Sequence, residues 1–157
     1  MEPLAVAVHS VANLGDFHTN QTIAVFGCGP VGLFCMAVAK AFGAERIIAV
    51  DIVPSRLEFA KSYVATDTFK PPQSKDGESK LEFSRRSASL MKEQLDIWDR
   101  GTKAIDLVVD ASGAEVSIQT ALAIVKFGGT HVQVSKEGSR CTLLIGVRIR
   151  LGWEGQK

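Results

Sequence analysis

The chain has 157 residues, 46% of them apolar and 22% charged, with a formal net charge of +1 at pH 7. That length accommodates one domain burying roughly 70% of its unfolded surface, and so small a net charge supplies no general field for nucleic acid or a membrane surface. No apolar run approaches the ~20 residues of a membrane-spanning helix, and no basic region followed by an apolar stretch at the N-terminus reads as a secretory signal. The three cysteines, Cys28, Cys35 and Cys141, form no C-x-x-C pair. They are expected to be small buried thiols in a reducing cytoplasm, not disulfides or metal ligands.

In chain order, Leu4, Ala7, Val8, Val11 and Leu14 fall at helical spacing and predict a helix over 3–14, with Gly15 as its stop. Because Met1 stands almost inside this helix, the segment reads as the start of something within a larger protein. His9 and His18 have no partner at metal-site spacing and are assigned no role. Thr22 to Phe26 reads as a buried strand. It runs into Gly27-Cys28-Gly29-Pro30-Val31-Gly32 and then a helix over 30–42 rich in Ala, Val, Leu and Met. A second apolar run, Arg46 to Val50, reads as a central parallel strand. It ends at Asp51, nineteen positions past Gly32.

Strand, glycine turn, helix, strand and acid is the arrangement a dinucleotide needs. Gly27 permits the tight turn, Gly29 lets backbone approach a pyrophosphate, and Gly32 lets the helix pack closely. The helix N-terminus beginning near Pro30 offers unpaired N–H groups to phosphates. Asp51 accepts hydrogen bonds from adenosine ribose hydroxyls, and its charge disfavours a 2′-phosphate. The expected cofactor is therefore NAD rather than NADP.

Pro54-Ser55 opens a helix carrying Leu57, Phe59, Ala60 and Val64. Arg56 at its start reads equally as a cover for an adenine face or as an exposed first-turn arginine. Thr66 to Phe69 suggests a short strand, and 70–79 an exposed loop. Residues 81–99 show an amphipathic pattern through Leu81, Phe83, Leu90, Met91, Leu95 and Trp98, with a solvated basic face. Ala104 to Val109 is the fourth strand, followed by Asp110-Ala111-Ser112-Gly113. Ser112 and Gly113 fall where the carboxyl ends of strands line a ligand crevice, and Asp110 reads as a ligand contact or a cap. A helix over 115–126, a stop at Gly128-Gly129 and a strand over 130–134 complete the run. The fold class is α/β, a doubly wound parallel Rossmann sheet incomplete at its C-terminal edge. The division is 1–135 for the nucleotide-binding unit and 136–157 for a divergent tail. In that tail Leu143, Ile145, Val147, Ile149 and Leu151 alternate as in an amphipathic strand. Too few residues precede it for a parallel crossover, so it forms an antiparallel edge hairpin or stays loose. It reads as the product of a truncated or altered longer gene, and an exposed apolar edge favours self-association.

The stretch from Glu2 to about Val134 resembles the coenzyme-binding half of medium-chain zinc-dependent polyol dehydrogenases of the sorbitol and xylitol (D-xylulose reductase) type. The resemblance rests on Glu2-Pro3-Leu4-Ala5-Val6-Ala7-Val8-His9, on the turn 27–32, on Ala49-Val50-Asp51-Ile52 with Arg56-Leu57, and on Val108-Val109-Asp110-Ala111-Ser112-Gly113. It implies NAD-linked oxidation of a polyol secondary alcohol, with zinc polarising the alcohol oxygen. It likens Glu2 to the glutamate beside the catalytic zinc, Asp51 and Arg56 to the adenosine-binding pair, and Val134 to the backbone near the nicotinamide, with Ile52 of the matching motif among the cofactor-binding residues. In that family the zinc cysteine and histidine come from a preceding catalytic domain. Zinc is therefore not expected to bind this chain alone, a polyol substrate is expected only with that domain, and the segment alone is expected to be inactive. A non-catalytic NAD-binding module and a product without function are the alternatives.

Overall fold

The computed structural model describes residues 2–134 and 147–150, without the side chains of Glu2 and of 147–150. A helix α1 (Glu2–Val8) continues into a π-helical segment, His9–Leu14. Then follow β1 (Thr22–Phe26), α2 (Pro30–Ala41), β2 (Arg46–Val50), α3 (Pro54–Tyr63), β3 (Asp67–Phe69), α4 (Lys80–Leu95), β4 (Ile105–Asp110), α5 (Glu115–Ile124), β5 (Val125–Gln133) and β6 (Val147–Arg150). The strands form one sheet in the order β3-β2-β1-β4-β5-β6. The first five run parallel, and β6 pairs antiparallel with β5.

The central strands are continuous runs of β-branched and apolar residues because both faces of the sheet are covered. One face buries Val25, Val109 and Val132 under Ala7, Val11, Met36 and Leu57 of α1, the π-helical segment, α2 and α3. The other buries Phe26, Val50 and Val108 under Ala88, Met91, Ala121 and Ile124 of α4 and α5. Helices α2 and α3 each start with a proline in the first turn, where the missing N–H has no helical partner in any case. Helix α4 starts with a capping box, Ser79 and Glu82 satisfying each other's backbone amides. The switch of strand order falls between β1 and β4, so their carboxyl ends part to leave a crevice.

Several expected boundaries move. The first helix is α-helical only to Val8, and the Gly15 amide reaches back five residues to the Ser10 carbonyl at 2.8 Å. That wider turn closes on Gly15, where a Cβ would stand 2.6 Å from the Val11 carbonyl oxygen. Helix α4 stops at Leu95, not near 99. Asp96 takes a left-handed conformation, and its carboxylate accepts from the Trp98 indole N–H at 2.8 Å. The buried stripe of α4 is Ser84, Ser87, Ala88 and Met91, whereas Leu81 and Trp98 are exposed. On α3, Phe59 likewise lies on the surface, stacked on Tyr63 at 5.9 Å.

The predicted stop at Gly128-Gly129 is not a helix end. Helix α5 ends at Ile124, and Val125 already pairs with Ile105 of β4. The ladder then resumes at Thr130 opposite Leu107, so β5 carries an irregularity over 126–129 in which Gly128 has φ of +77°. Burial of Val125 outweighs continuing the helical pattern. At the edge, residues 147–150 form the antiparallel partner of β5, and the rest of the alternating stretch lies outside the described residues.

Candidate functional site

The glycine turn leaves β1 under two constraints. Gly27 has φ of +92°, which side chains rarely tolerate, and a Cβ there would meet the Ser112 amide and the Ala111 carbonyl at 3.0–3.1 Å. Gly32 cannot carry a side chain at all, because its Cβ would stand 1.8 Å from the Gly27 carbonyl oxygen. The close approach expected of Gly32 is therefore to the turn itself, with Val25 of β1 behind it at 3.4 Å. Gly29 differs from both: a Cβ there would meet nothing within 4 Å and would project into open space. The Leu33 amide bonds to the Gly29 carbonyl at 2.9 Å. Ahead of it Pro30 has no N–H, and the Val31 and Gly32 amides belong to the first turn, which a helix leaves without internal acceptors.

Asp51 closes the turn from the neighbouring strand. Its side chain is 5% exposed. Oδ2 accepts from the Cys28 amide at 2.8 Å, and Oδ1 accepts from the Val53 amide at 2.9 Å. One carboxylate thus fixes both the glycine turn and the start of α3. Arg56 Nη1 lies 3.9 Å from Oδ2, on a side chain more than half exposed. Ile52 is 73% exposed at the rim. The Cys28 thiol, held between these groups, is pushed up to about 12, chiefly by burial and then by the Asp51 charge. Burial likewise pushes the Cys35 thiol up to about 12. Both cysteines are free.

Across the crevice, Asp110 ends β4 as a cap. Its Oδ1 accepts from the Ser112 amide at 2.8 Å and the Ser112 hydroxyl at 2.6 Å, and the Ala114 amide bonds to the Ser112 hydroxyl at 3.2 Å. The Val134 amide reaches the Asp110 carbonyl at 2.8 Å. Asp110 Oδ2 is buried without a partner.

These groups surround a cavity of about 390 Å³, within the range of small-molecule sites. Of the residues singled out in sequence, Gly27, Gly29, Asp51, Ile52, Arg56 and Ser112 line it together. Pro30, Val31, Gly32 and Gly113 are not in its wall but are joined to residues that are, and buried Val134 is held one strand further along. Sequence reasoning missed the inner wall. Pro71 of the loop after β3, Phe83 and Ser87 of α4, and Val116, Ser117 and Thr120 of α5 also line the cavity. The i, i+4 pairs Phe83/Ser87 and Val116/Thr120 share helix faces, but only the packing of α4 on α5 turns those faces to one cavity. The side chain of Glu2 lies outside the described residues. Among the described residues no group of three or more His, Cys, Asp or Glu side chains could hold a metal ion.

A parallel sheet with a glycine turn, a helix N-terminus and a buried acid at its switch point defines a Rossmann-type α/β unit. The chain belongs to the zinc-binding dehydrogenase family, whose profile matches residues 30–145. It is 46% identical over 145 residues to D-xylulose reductase A of Aspergillus niger, covering 92% of this chain and 37% of that protein. To D-xylulose reductase A of Aspergillus oryzae it is 47% identical over 133 residues, covering 85% and 34%. Among solved structures, alcohol dehydrogenase TADH from Thermus sp. ATN1 superposes with a TM-score of 0.64 at 28% identity, covering 87% of this chain and 35% of that one. Galactitol-1-phosphate dehydrogenase from Escherichia coli shares the fold, with a TM-score of 0.61 at 23% identity, over 84% and 33%. The chain thus spans about a third of the length of the curated relatives it matches.

Proposed function

We propose that this segment is the NAD-binding unit of a polyol dehydrogenase acting on a pentitol/ketose pair such as the one that includes D-xylulose. The observation that carries the reading is Asp51, a buried carboxylate fixed by two backbone amides at the wall of the cavity. The residues fit the cofactor: Gly29 leaves the space a Cβ would fill, and the N-terminus of α2 opens beside it. Bound NAD supplies the hydride acceptor for oxidation of a secondary alcohol. The chain's own part is to bind and orient. The first-turn amides of α2 neutralise phosphate charge, Asp51 accepts from ribose hydroxyls, and Ile52 and Arg56 cover the base. The Asp110–Ser112 cap holds the opposite wall rigid.

Zinc is a different matter, because the described side chains gather no ligand set for it. The polyol and its zinc are assigned to the part of the relatives that this chain does not span. The reading places the unit in a reducing, cytoplasmic compartment, in keeping with its two buried free thiols.

Calorimetric titration of the purified chain with NAD and with NADP tests the proposal. Saturable NAD binding is expected, with NADP at least 10-fold weaker because its 2′-phosphate meets the Asp51 charge. Asp51→Asn is expected to weaken NAD and to narrow the gap to NADP. Equal affinity for the two cofactors in the unsubstituted chain, or no binding by a folded chain, would sink it.

A further inference from the structure

The inner end of the cavity holds a hydroxyl that the phosphate and ribose contacts do not use. Ser87, on α4, is 1% exposed and lines the cavity. Other helix hydroxyls nearby have acceptors: Ser84 donates to the Lys80 carbonyl at 2.8 Å, Ser89 to the Arg85 carbonyl at 3.0 Å, and Thr120 to the Val116 carbonyl at 2.7 Å. Ser87 makes no side-chain hydrogen bond with any described residue. Ser87 Oγ is not among the buried atoms that lack a partner, so the little surface it keeps is open to the cavity it lines, and a polar atom supplied there can bond it.

The surroundings say what kind of group brings it. Phe83, Pro71 and Val116 give the inner cavity apolar walls, and Ile52 stands at its rim. The loop carrying Pro71 is clamped to α4. Arg86 donates to both carboxylate oxygens of Glu78 at 2.7 Å and to the Gln73 carbonyl at 2.9 Å, and its guanidinium lies 5.5 Å from the Phe83 ring centroid. A slot with apolar walls on Phe83, Pro71 and Val116 and with the Ser87 hydroxyl, the most buried serine of its lining, beside Ser117 and Thr120 suits a flat heteroaromatic ring with a polar outer edge.

We infer that Ser87 is a base-recognition residue whose hydroxyl bonds the six-membered-ring edge of adenine. This rests on the NAD reading. Along the ligand, pyrophosphate lies at the glycine turn and ribose at Asp51, so the base is the group that reaches α4. A hydroxyl both donates and accepts, and the adenine edge offers an acceptor nitrogen beside an amine donor. Ser87 is thereby distinguished from Asp51, which reads the sugar and is indifferent to the base.

The test is calorimetric titration of the purified chain, Ser87→Ala and Ser87→Cys with AMP and with benzimidazole riboside 5′-monophosphate. The second probe has the same bicyclic shape but no polar atom on its six-membered ring. Both substitutions are expected to weaken AMP about 3- to 10-fold, the loss of one buried hydrogen bond, and to leave the benzimidazole nucleotide unchanged. The cysteine variant preserves volume, so matching losses in the two variants assign the effect to the hydroxyl. AMP affinity unmoved or increased by either substitution, or equal losses for both nucleotides, overturns the inference while NAD binding by the unsubstituted chain leaves the cofactor reading standing. Failure of that chain to bind NAD overturns both.

Discussion

Two buried aspartates end neighbouring parts of the same sheet, and they are built differently. Asp51, after β2, has both oxygens occupied by backbone amides. Asp110, ending β4, satisfies one oxygen through Ser112 and leaves the other buried and unpaired. The contrast extends to their strands. Beside Asp51 the parallel register of β1, β2 and β3 is unbroken. Beside Asp110, β5 carries an irregularity, an antiparallel neighbour, a His131 with both ring nitrogens unpaired and a Gln133 with its side-chain oxygen unpaired. Buried polar groups cost free energy unless partnered. Among the described residues, the buried polar side-chain atoms that lack a partner lie on the β4–β5 half of the sheet and not beside the glycine turn.

The largest effect should come from breaking the half around the glycine turn at its tightest point. Gly32→Ala places a methyl on the Gly27 carbonyl, and the backbone must move. A loss of about 3 kcal/mol or more in urea unfolding is expected, together with loss of NAD binding. Next, Asp51→Ala orphans the Cys28 and Val53 amides and should cost about 1–3 kcal/mol in the same assay. A change below ~0.5 kcal/mol, the level of an ordinary surface substitution, would mean that water replaces the carboxylate without penalty.

Substitution in the other half should do the opposite. His131→Leu keeps the approximate volume and removes two unpaired nitrogens. A gain of about 1 kcal/mol is expected, and destabilisation would show that the imidazole has a partner after all. The histidine also gives this half a pH signature. Burial holds the His131 pKa below its ordinary 6.5, against the opposing pull of the Asp110 charge. The unfolded chain then takes up a proton before the folded chain does, so stability falls as pH drops through 6.5 toward the lower folded value. In His131→Leu that part of the acid slope should vanish, and an unchanged slope would assign it to other groups. An effect of the same size falls on the crossover that joins the halves. Ser79→Ala removes the N-cap of α4 and should cost about 1 kcal/mol, read as a shift in thermal midpoint.

The half around the glycine turn was also the legible half. The turn, Asp51 and the apolar strands β1 and β2 were readable because the positive φ of Gly27 and the approach of Gly32 to the Gly27 carbonyl are set within a few residues, although Gly27 also packs on Ala111 and Ser112 from a distant strand end. The inner wall was not legible. Ser84, Ser87 and Ala88 are small and partly polar, so an apolar count passes over them and favours Leu81 and Trp98, which face solvent. Their burial is decided by how closely α4 approaches α5, a relation between residues some 30 apart. The junction at Val125 failed for a similar reason. Periodicity carried the helix on to Lys126, while pairing of Val125 with Ile105 on another strand ended it.

Cys28 sits inside the glycine turn, yet its thiol is held at about 12. Near neutral pH the thiolate is then on the order of one part in 10⁵, and the thiolate is the reactive form. An alkylating reagent should modify Cys28 and the equally buried Cys35 only when the surrounding structure opens. The rate at which these two residues acquire mass in iodoacetamide therefore serves as a clock for local unfolding around the turn, and a bound nucleotide should slow it.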